Sequence, residues 1–161
     1  TTFWNGRAGA ESYRKLMEDR SSVGVSCGSF ATEAALNAVK AKRIAFLSPY
    51  YSSANSQVRR FYEDCGFTVV RDLCLQRLSP VLIAHTEEAQ CREALMKLDG
   101  DDVDAIVQVG TNLSMVRLAA AAELFLGKPV IAINAATYWH ALRAVGINDR
   151  MSGFGSLLTH H

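Results

Sequence analysis

The sequence has no long apolar run, no excess of charge of either sign and no closely paired cysteines. No stretch of 18 or more apolar residues occurs, and the N-terminus lacks a charged-then-apolar pattern. We therefore expect neither a membrane span nor secretion, and we expect a cytoplasmic location. The 17 basic and 16 acidic residues give a formal net charge of +1, which argues against a nucleic-acid or membrane-surface binder. Small neutral or anionic ligands are the expected partners.

The four cysteines are not arranged for metal or redox chemistry. They are irregularly spaced and form no C-x-x-C pair, which is typical of reduced thiols; they are Cys27, Cys65, Cys74 and Cys91. No P-loop, dinucleotide fingerprint or metal-ligand pattern is present, so no metal and no cofactor is predicted. By length alone, 161 residues with 49% apolar content fit one soluble domain.

Apolar runs alternate with amphipathic segments along the chain. The runs predict buried strands at residues 23–26, 44–48, 67–70, 106–109 and 130–133. The segments between them predict helices at about residues 8–19, 30–40, 56–65, 87–98, 114–126 and 137–145. This alternation is typical of an α/β protein with a parallel sheet.

Small and polar residues follow the predicted strands where parallel strands should end together. Gly110, Thr111 and Asn112 come after the fourth predicted strand, and Asn134 comes after the fifth. That edge is where open α/β sheets bind ligands, because helix N-termini offer free N–H groups there. We expect Thr111 and Asn112 to begin a helix and bind an anion, with plain N-capping as the alternative. Cys27, predicted to end the first strand, is a weaker candidate at the same edge.

Six short motifs occur in the order of one known family. They lie at residues 43–50, 61–67, 110–112, 127–130, 135–139 with 146–147, and 153–158. Each is weak alone. Together, over residues 1–158, they resemble the maleate cis-trans isomerase and arylmalonate decarboxylase branch of the aspartate/glutamate racemase superfamily.

The resemblance implies two flavodoxin-like, three-layer αβα halves with a cofactor-free site between them. Residues 1–40 would then end the first half, residues 41–134 would form the second half, and residues 135–161 would be a C-terminal helix and tail packing back on the first. By this template the chain holds only part of the first half. The apolar edge at residues 23–26 would be left uncovered, and we predict self-association there as a homo-oligomer.

The resemblance also assigns site residues. Isomerases and racemases of the family use one thiol from each half; the second position is Gly110 here, and the first falls immediately before Thr1. Thr1 and Thr2 match donors that cradle a substrate carboxylate. Tyr50 matches a tyrosine whose phenol reaches the cleft, the alternative being an ordinary loop tyrosine. Substrate choice is expected to depend partly on a loop at residues 71–84, whose leucines suggest an apolar lining.

The function implied is a cofactor-independent isomerase of small dicarboxylic acids, using a cysteine thiolate and carboxylate-binding donors. An arylmalonate-type decarboxylase needs a single cysteine, so the glycine at position 110 favours that alternative. A catalytically inactive small-acid binder is a third reading. An unrelated receiver domain is disfavoured, because no acidic cluster marks a phosphoacceptor site.

Overall fold

The computed structural model describes residues 2–161, and Thr1 lies outside the described residues. Four strands and eight helices alternate through most of this part of the chain. The strands are β1 (Arg43–Ser48), β2 (Thr68–Cys74), β3 (Ala105–Gln108) and β4 (Val130–Ala132). The helices are α1 (Gly6–Ser21), α2 (Gly28–Ala38), α3 (Ser52–Asp64), α4 (Pro80–Ala84), α5 (Glu88–Leu98), α6 (Val116–Leu126), α7 (Ile133–Ala144) and α8 (Ser156–His160).

The four strands form one parallel sheet in the order β2-β1-β3-β4. In the two central strands Phe46 pairs with Val107, and in the next pair Val107 faces Ile131. Both central strands are almost wholly buried, as expected for parallel strands covered on both faces. The carboxyl ends of β1, β3 and β4 therefore share one edge of the sheet.

Helices cover both faces of the sheet. Right-handed crossovers place α3 on one face and α5 and α6 on the other, since the chain moves in opposite directions across the sheet at these connections. Helix α3 packs on β2, whereas α5 and α6 contact each other and the strands β1 and β4. Helix α1 packs on α3, and α2 packs on α7. None of the helices described is both long and apolar enough to cross a membrane.

The core on the α3 face is aromatic. Val58, Phe61 and Tyr62 recur at helical spacing and are fully buried. The ring of Phe61 packs edge-on against the rings of Phe3 and Phe30. The distances between ring centroids are 5.2 Å to Phe3 and 5.8 Å to Phe30. These contacts tie the N-terminal segment and α2 to α3.

The C-terminal tail is held to α6 by one carboxylate. Glu123 accepts hydrogen bonds from the N–H of Val130 at 3.1 Å, from the N–H of Ser156 at 2.6 Å and from the Ser156 hydroxyl at 2.8 Å. Arg143 of α7 donates to the carbonyl oxygens of Ile147 and His161. The tail thus joins α6, β4 and α7.

Four of the five predicted strands are confirmed, and the first is wrong. Residues 22–27 form no strand; they lead directly into α2, and Val23 is 65% exposed. Ser26 instead uses its hydroxyl to contact the His140 ring and the Thr137 carbonyl. The predicted loop at 71–84 is also wrong in part, because β2 continues to Cys74 and α4 follows.

Candidate functional site

A cavity of about 170 Å³ lies at the carboxyl edge of the sheet. Five separate parts of the chain line it: the N-terminal segment, the start of α2, the turn after β1, the turn after β3 and the start of α7. The lining residues are Thr2, Phe3, Gly28, Tyr50, Thr111 and Ile133. None of them is charged, so hydroxyls and backbone amides supply the polarity of the cavity.

Three of the predicted site residues, Thr2, Tyr50 and Thr111, meet in this cavity although they are far apart in sequence. Thr1 cannot be placed, since it lies outside the described residues. Asn112, Asn134 and Cys27 are not among the lining residues. The structure thus brings three of the predicted residues together and leaves these three out of the cavity lining.

Tyr50 lies in the turn after β1 and directs its phenol toward the turn after β3. Its hydroxyl oxygen is 3.5 Å from the point where a Cβ on Gly110 would be. Burial raises the pKa of the Tyr50 phenol above its usual value of 10.0. The phenol is therefore protonated at neutral pH and available as a hydrogen-bond donor.

Gly110 has a conformation that excludes a side chain. Its φ is +95°, and a Cβ there would lie 2.6 Å from Cδ and 2.7 Å from Cγ of Pro49. Both backbone strain and a collision with a buried ring oppose any other residue. The thiol that the resemblance expects at this position is absent, and the local backbone fits glycine.

Thr111 and Asn112 lie in a turn rather than at the start of a helix. The Leu113 N–H donates to the Gly110 carbonyl at 3.0 Å, and α6 begins only at Val116. The prediction that these residues begin a helix is therefore wrong. Their own N–H groups nevertheless have no acceptor within the described part of the chain, so the turn itself offers donors to an anion.

The two asparagines near this turn fasten it from outside. Asn112 donates its side-chain N–H to the Pro80 carbonyl at 2.5 Å, and Asn134 donates to the Thr111 carbonyl at 2.9 Å. Asn134 lies in the first turn of α7, because that helix starts directly after β4 with no intervening turn. The predicted strand-end turn at Asn134 is wrong for this reason.

Thr2 connects the N-terminal segment to the start of α2. Its hydroxyl oxygen accepts a hydrogen bond from the Ser29 N–H at 3.3 Å, so the Thr2 O–H is left to donate elsewhere. Gly28 lets α2 approach α7, since a Cβ at Gly28 would lie 2.5 Å from Cδ1 of Ile133. Sequence reasoning missed Gly28 and Ile133; the small residues just before α2 were the available signal.

Cys27 precedes α2 and is buried, with its Sγ 3.6 Å from the Ser29 hydroxyl oxygen. It follows an irregular segment, so its predicted position at a strand end is wrong. The leucines expected to line the site from residues 71–84 lie elsewhere: Leu78 is 79% exposed, and Leu73 and Leu75 face a different hollow beside Arg77. Within residues 2–161 no group of three His, Cys, Asp or Glu side chains could hold a metal ion.

The fold and the cavity together define a parallel α/β protein with an uncharged, donor-rich pocket at the carboxyl edge of its sheet. The family model of arylmalonate decarboxylase matches residues 1–158. The chain belongs to this family.

Maleate isomerases are among its relatives. The chain is 30% identical over 127 residues to the maleate isomerase of Pseudomonas putida KT2440, covering 78% of this chain and 50% of that protein. It is 25% identical over 121 residues to the maleate isomerase of Geobacillus stearothermophilus, covering 74% and 48%. The chain thus spans about half the length of the curated relatives it matches.

Solved structures share the fold. A mutant of Nocardia farcinica maleate cis-trans isomerase with a covalently bound succinylcysteine intermediate superposes with a TM-score of 0.91 at 22% identity, covering 99% of this chain and 68% of that one. A liganded mutant of arylmalonate decarboxylase superposes with a TM-score of 0.91 at 21% sequence identity, covering 97% of this chain and 68% of that one. The predicted α/β fold is confirmed by these matches.

Proposed function

We propose that this chain forms the carboxylate-binding side of a cofactor-independent isomerase of small dicarboxylic acids, of the maleate cis-trans isomerase kind. The observation that carries the proposal is the convergence of Thr2, Tyr50 and Thr111 on one uncharged cavity. A carboxylate entering it would meet the protonated Tyr50 phenol, the Thr2 hydroxyl and the backbone of Thr111. The maleate isomerases among the relatives support the choice of substrate.

The donors would act on the charge that forms during isomerisation. A cysteine thiolate adds to one alkene carbon, forming a C–S bond, and the π electrons move onto the carboxylate next to the other carbon. The central C–C bond then rotates as a single bond, and the electrons return as the thiolate leaves. Hydrogen bonds from the phenol and the backbone N–H groups stabilise the extra negative charge on the carboxylate oxygens. In this proposal the thiolate belongs to the family position that precedes Thr1.

Gly110 favours a second candidate, an arylmalonate-type decarboxylase. Because Gly110 has no side chain, this position supplies no thiol, and a decarboxylase needs only one. There the C–C bond to the leaving carboxylate breaks, CO₂ departs, and the electron pair forms an enediolate held by the same donors until a thiol protonates the carbon. A small-acid binder without catalysis is the third alternative.

The phenol can be tested directly, because the chain offers a matched control. Tyr50→Phe removes the donor in the cavity, whereas Tyr51→Phe alters the neighbouring tyrosine, which is 43% exposed and not among the lining residues. We expect Tyr50→Phe to weaken maleate binding about tenfold, as for loss of a hydrogen bond to a charged group. Tyr51→Phe should bind as the unsubstituted protein does, measured by calorimetry.

Product analysis separates the alternatives. Proton NMR of the protein with maleate would show fumarate for an isomerase, and with phenylmalonate it would show phenylacetate for a decarboxylase. Binding without either product indicates the inactive relative. Absence of binding to both acids, or equal affinity in the two tyrosine variants, would contradict the proposal.

A further inference from the structure

A chain of polar side chains runs from the protein surface through the buried Asn55 and Ser48 to the backbone of Tyr50. Ser48 is the last residue of β1 and is fully buried, and its hydroxyl oxygen accepts a hydrogen bond from the Tyr50 N–H at 3.2 Å. The same hydroxyl donates to Oδ1 of Asn55, which is 3% exposed. The amide of Asn55 in turn donates to Oδ2 of Asp72, and Arg59 donates to Oδ1 of Asp72 at 3.1 Å. We call these four side chains the Ser48–Arg59 relay.

The direction of every hydrogen bond in the relay follows from its outer end. An ionised carboxylate such as that of Asp72 only accepts, so Asn55 must turn its NH₂ group toward it. That orientation leaves the Asn55 carbonyl oxygen facing Ser48, and the serine hydroxyl must donate to it. The lone pairs of the hydroxyl oxygen are then directed to the Tyr50 N–H.

The relay stabilises the turn after β1, at the point where β1 no longer pairs with β3. Pro49 has no N–H, so the Tyr50 N–H is the first donor after β1 that needs a partner. On the opposite side the N–H groups of Leu75, Gln76 and Arg77 donate to the carbonyls of residues 48, 50 and 49. The backbone of the turn is thus fixed from both directions, while the phenol of Tyr50 extends into the cavity.

We propose that Ser48 and Asn55 are positioning residues that set the place of the Tyr50 phenol for carboxylate binding, an inference that rests on the proposed function. They do not line the cavity and act only through the backbone of Tyr50. Asp72 and Arg59 fix the orientation of Asn55 from the protein surface. The relay therefore links an ion pair on β2 and α3 to the candidate site.

The test compares Ser48→Ala, which removes the acceptor for the Tyr50 N–H, with Tyr62→Phe. Tyr62 is on the same helix as Asn55 and is fully buried, but its hydroxyl donates at 2.9 Å to Thr32, away from the turn. Tyr62→Phe loses one buried hydrogen bond, whereas Ser48→Ala loses two, the one from the Tyr50 N–H and the one to Asn55. Asn55→Ala interrupts the relay one step further out and provides a second route to the same effect.

Two quantities are measured in each variant: the titration of the Tyr50 phenol, by NMR of tyrosine labelled with ¹³C at Cζ, and the dissociation constant for maleate. Tyr50→Phe assigns the signal. We expect Ser48→Ala and Asn55→Ala to shift the Tyr50 pKa back toward its ordinary value, as the turn loosens and water reaches the phenol. Maleate binding should weaken roughly three- to tenfold, the range of one hydrogen bond. Tyr62→Phe should leave both quantities unchanged.

A purely structural relay gives a different result. Ser48→Ala and Asn55→Ala would then lower thermal stability as Tyr62→Phe does, with the Tyr50 titration and the maleate affinity unaltered, and the inference would be overturned. If the unsubstituted protein binds no maleate, the proposed function fails. The titration without ligand still decides whether the relay positions the phenol.

Discussion

The two ends of the strands are built from different chemistry. At the amino ends, loop 99–104 forms ion pairs with three basic residues that come from β1, β2 and the α6–β4 connection. The pairs are Arg43 with Asp104 at 2.7 Å, Lys128 with Asp99 at 2.7 Å, and Arg71 with Asp102. At the carboxyl ends the cavity is lined by hydroxyls, a phenol, glycine and apolar side chains without one charge.

This difference indicates that the amino ends of the strands mainly stabilise the fold, whereas the carboxyl ends are suited to binding a ligand. At the amino ends the charges meet partners inside the protein, so they fasten the strands and leave little for a ligand. At the carboxyl ends the Thr111 and Asn112 N–H groups have no acceptor among the described residues. An anion could complete those hydrogen bonds there. Substitutions at the two ends should therefore have effects of different kinds.

The largest expected effect is at Gly110. Gly110→Ala should destabilise the protein by about 2–5 kcal/mol, the sum of positive-φ strain and overpacking against Pro49. Gly66 is the matched control, because its φ is +85° but no atom lies within 4 Å of the position of a Cβ. Gly66→Ala should cost only about 1–2 kcal/mol, measured by urea unfolding. Equal losses would mean that Pro49 does not restrict position 110.

Lys128 tests the amino ends. Its side chain is 15% exposed, and its Nζ lies 2.7 Å from the Asp99 carboxylate and donates to the carbonyls of Gly100 and Val103. Lys128→Met keeps the length but removes these contacts and should cost about 2–3 kcal/mol. Maleate binding should not change. Arg92→Met, which breaks an exposed pair with Glu88, should cost under about 0.5 kcal/mol.

The smallest effect concerns acid stability. Hydrogen bonds from the Arg43 side chain and from the Arg43 and Lys42 N–H groups lower the pKa of Asp104 from 3.8 to about 2. As the pH falls below about 4, the unfolded chain binds a proton there before the folded protein does, so stability is lost between about pH 4 and 2. This partly exposed pair should contribute about 1 kcal/mol or less.

Asp104→Asn should therefore flatten the dependence of unfolding free energy on pH in that window. Arg43→Met, which removes the partner side chain, should reduce the same slope. Urea unfolding at several pH values between 2 and 5 measures both. A slope that survives both substitutions would assign the acid sensitivity to other carboxyl groups.

Much of the fold was predictable because the buried strands have an unmistakable pattern. Residues 44–48 and 106–109 are mostly apolar, each with one polar residue, and they match β1 and β3 to within one residue at each end. The turn at Gly110 was also predictable, since small and polar residues after such a run mark the carboxyl edge. Tyr50 and Thr2 were predicted as site residues from the family resemblance, not from periodicity.

The rest depended on contacts that a local pattern does not contain. Val23 and Val25 are apolar, but this segment has no adjacent strand among the described residues and stays irregular. Asn134 looked like a turn residue, yet α7 starts immediately after β4. The role of Ser48 was invisible because its partners Asn55 and Asp72 lie on two later elements.

Glu123 should keep the last part of the chain attached to the protein even after the backbone has been cut. Val145 is largely exposed and Ile147 and Phe154 are partly exposed, so a protease should cut the segment between α7 and α8. The fragment beyond the cut would still be tied to α6 through Ser156 and Glu123 and to Arg143 through His161. A nicked protein should therefore run as one particle in gel filtration and separate into two pieces only under denaturing conditions.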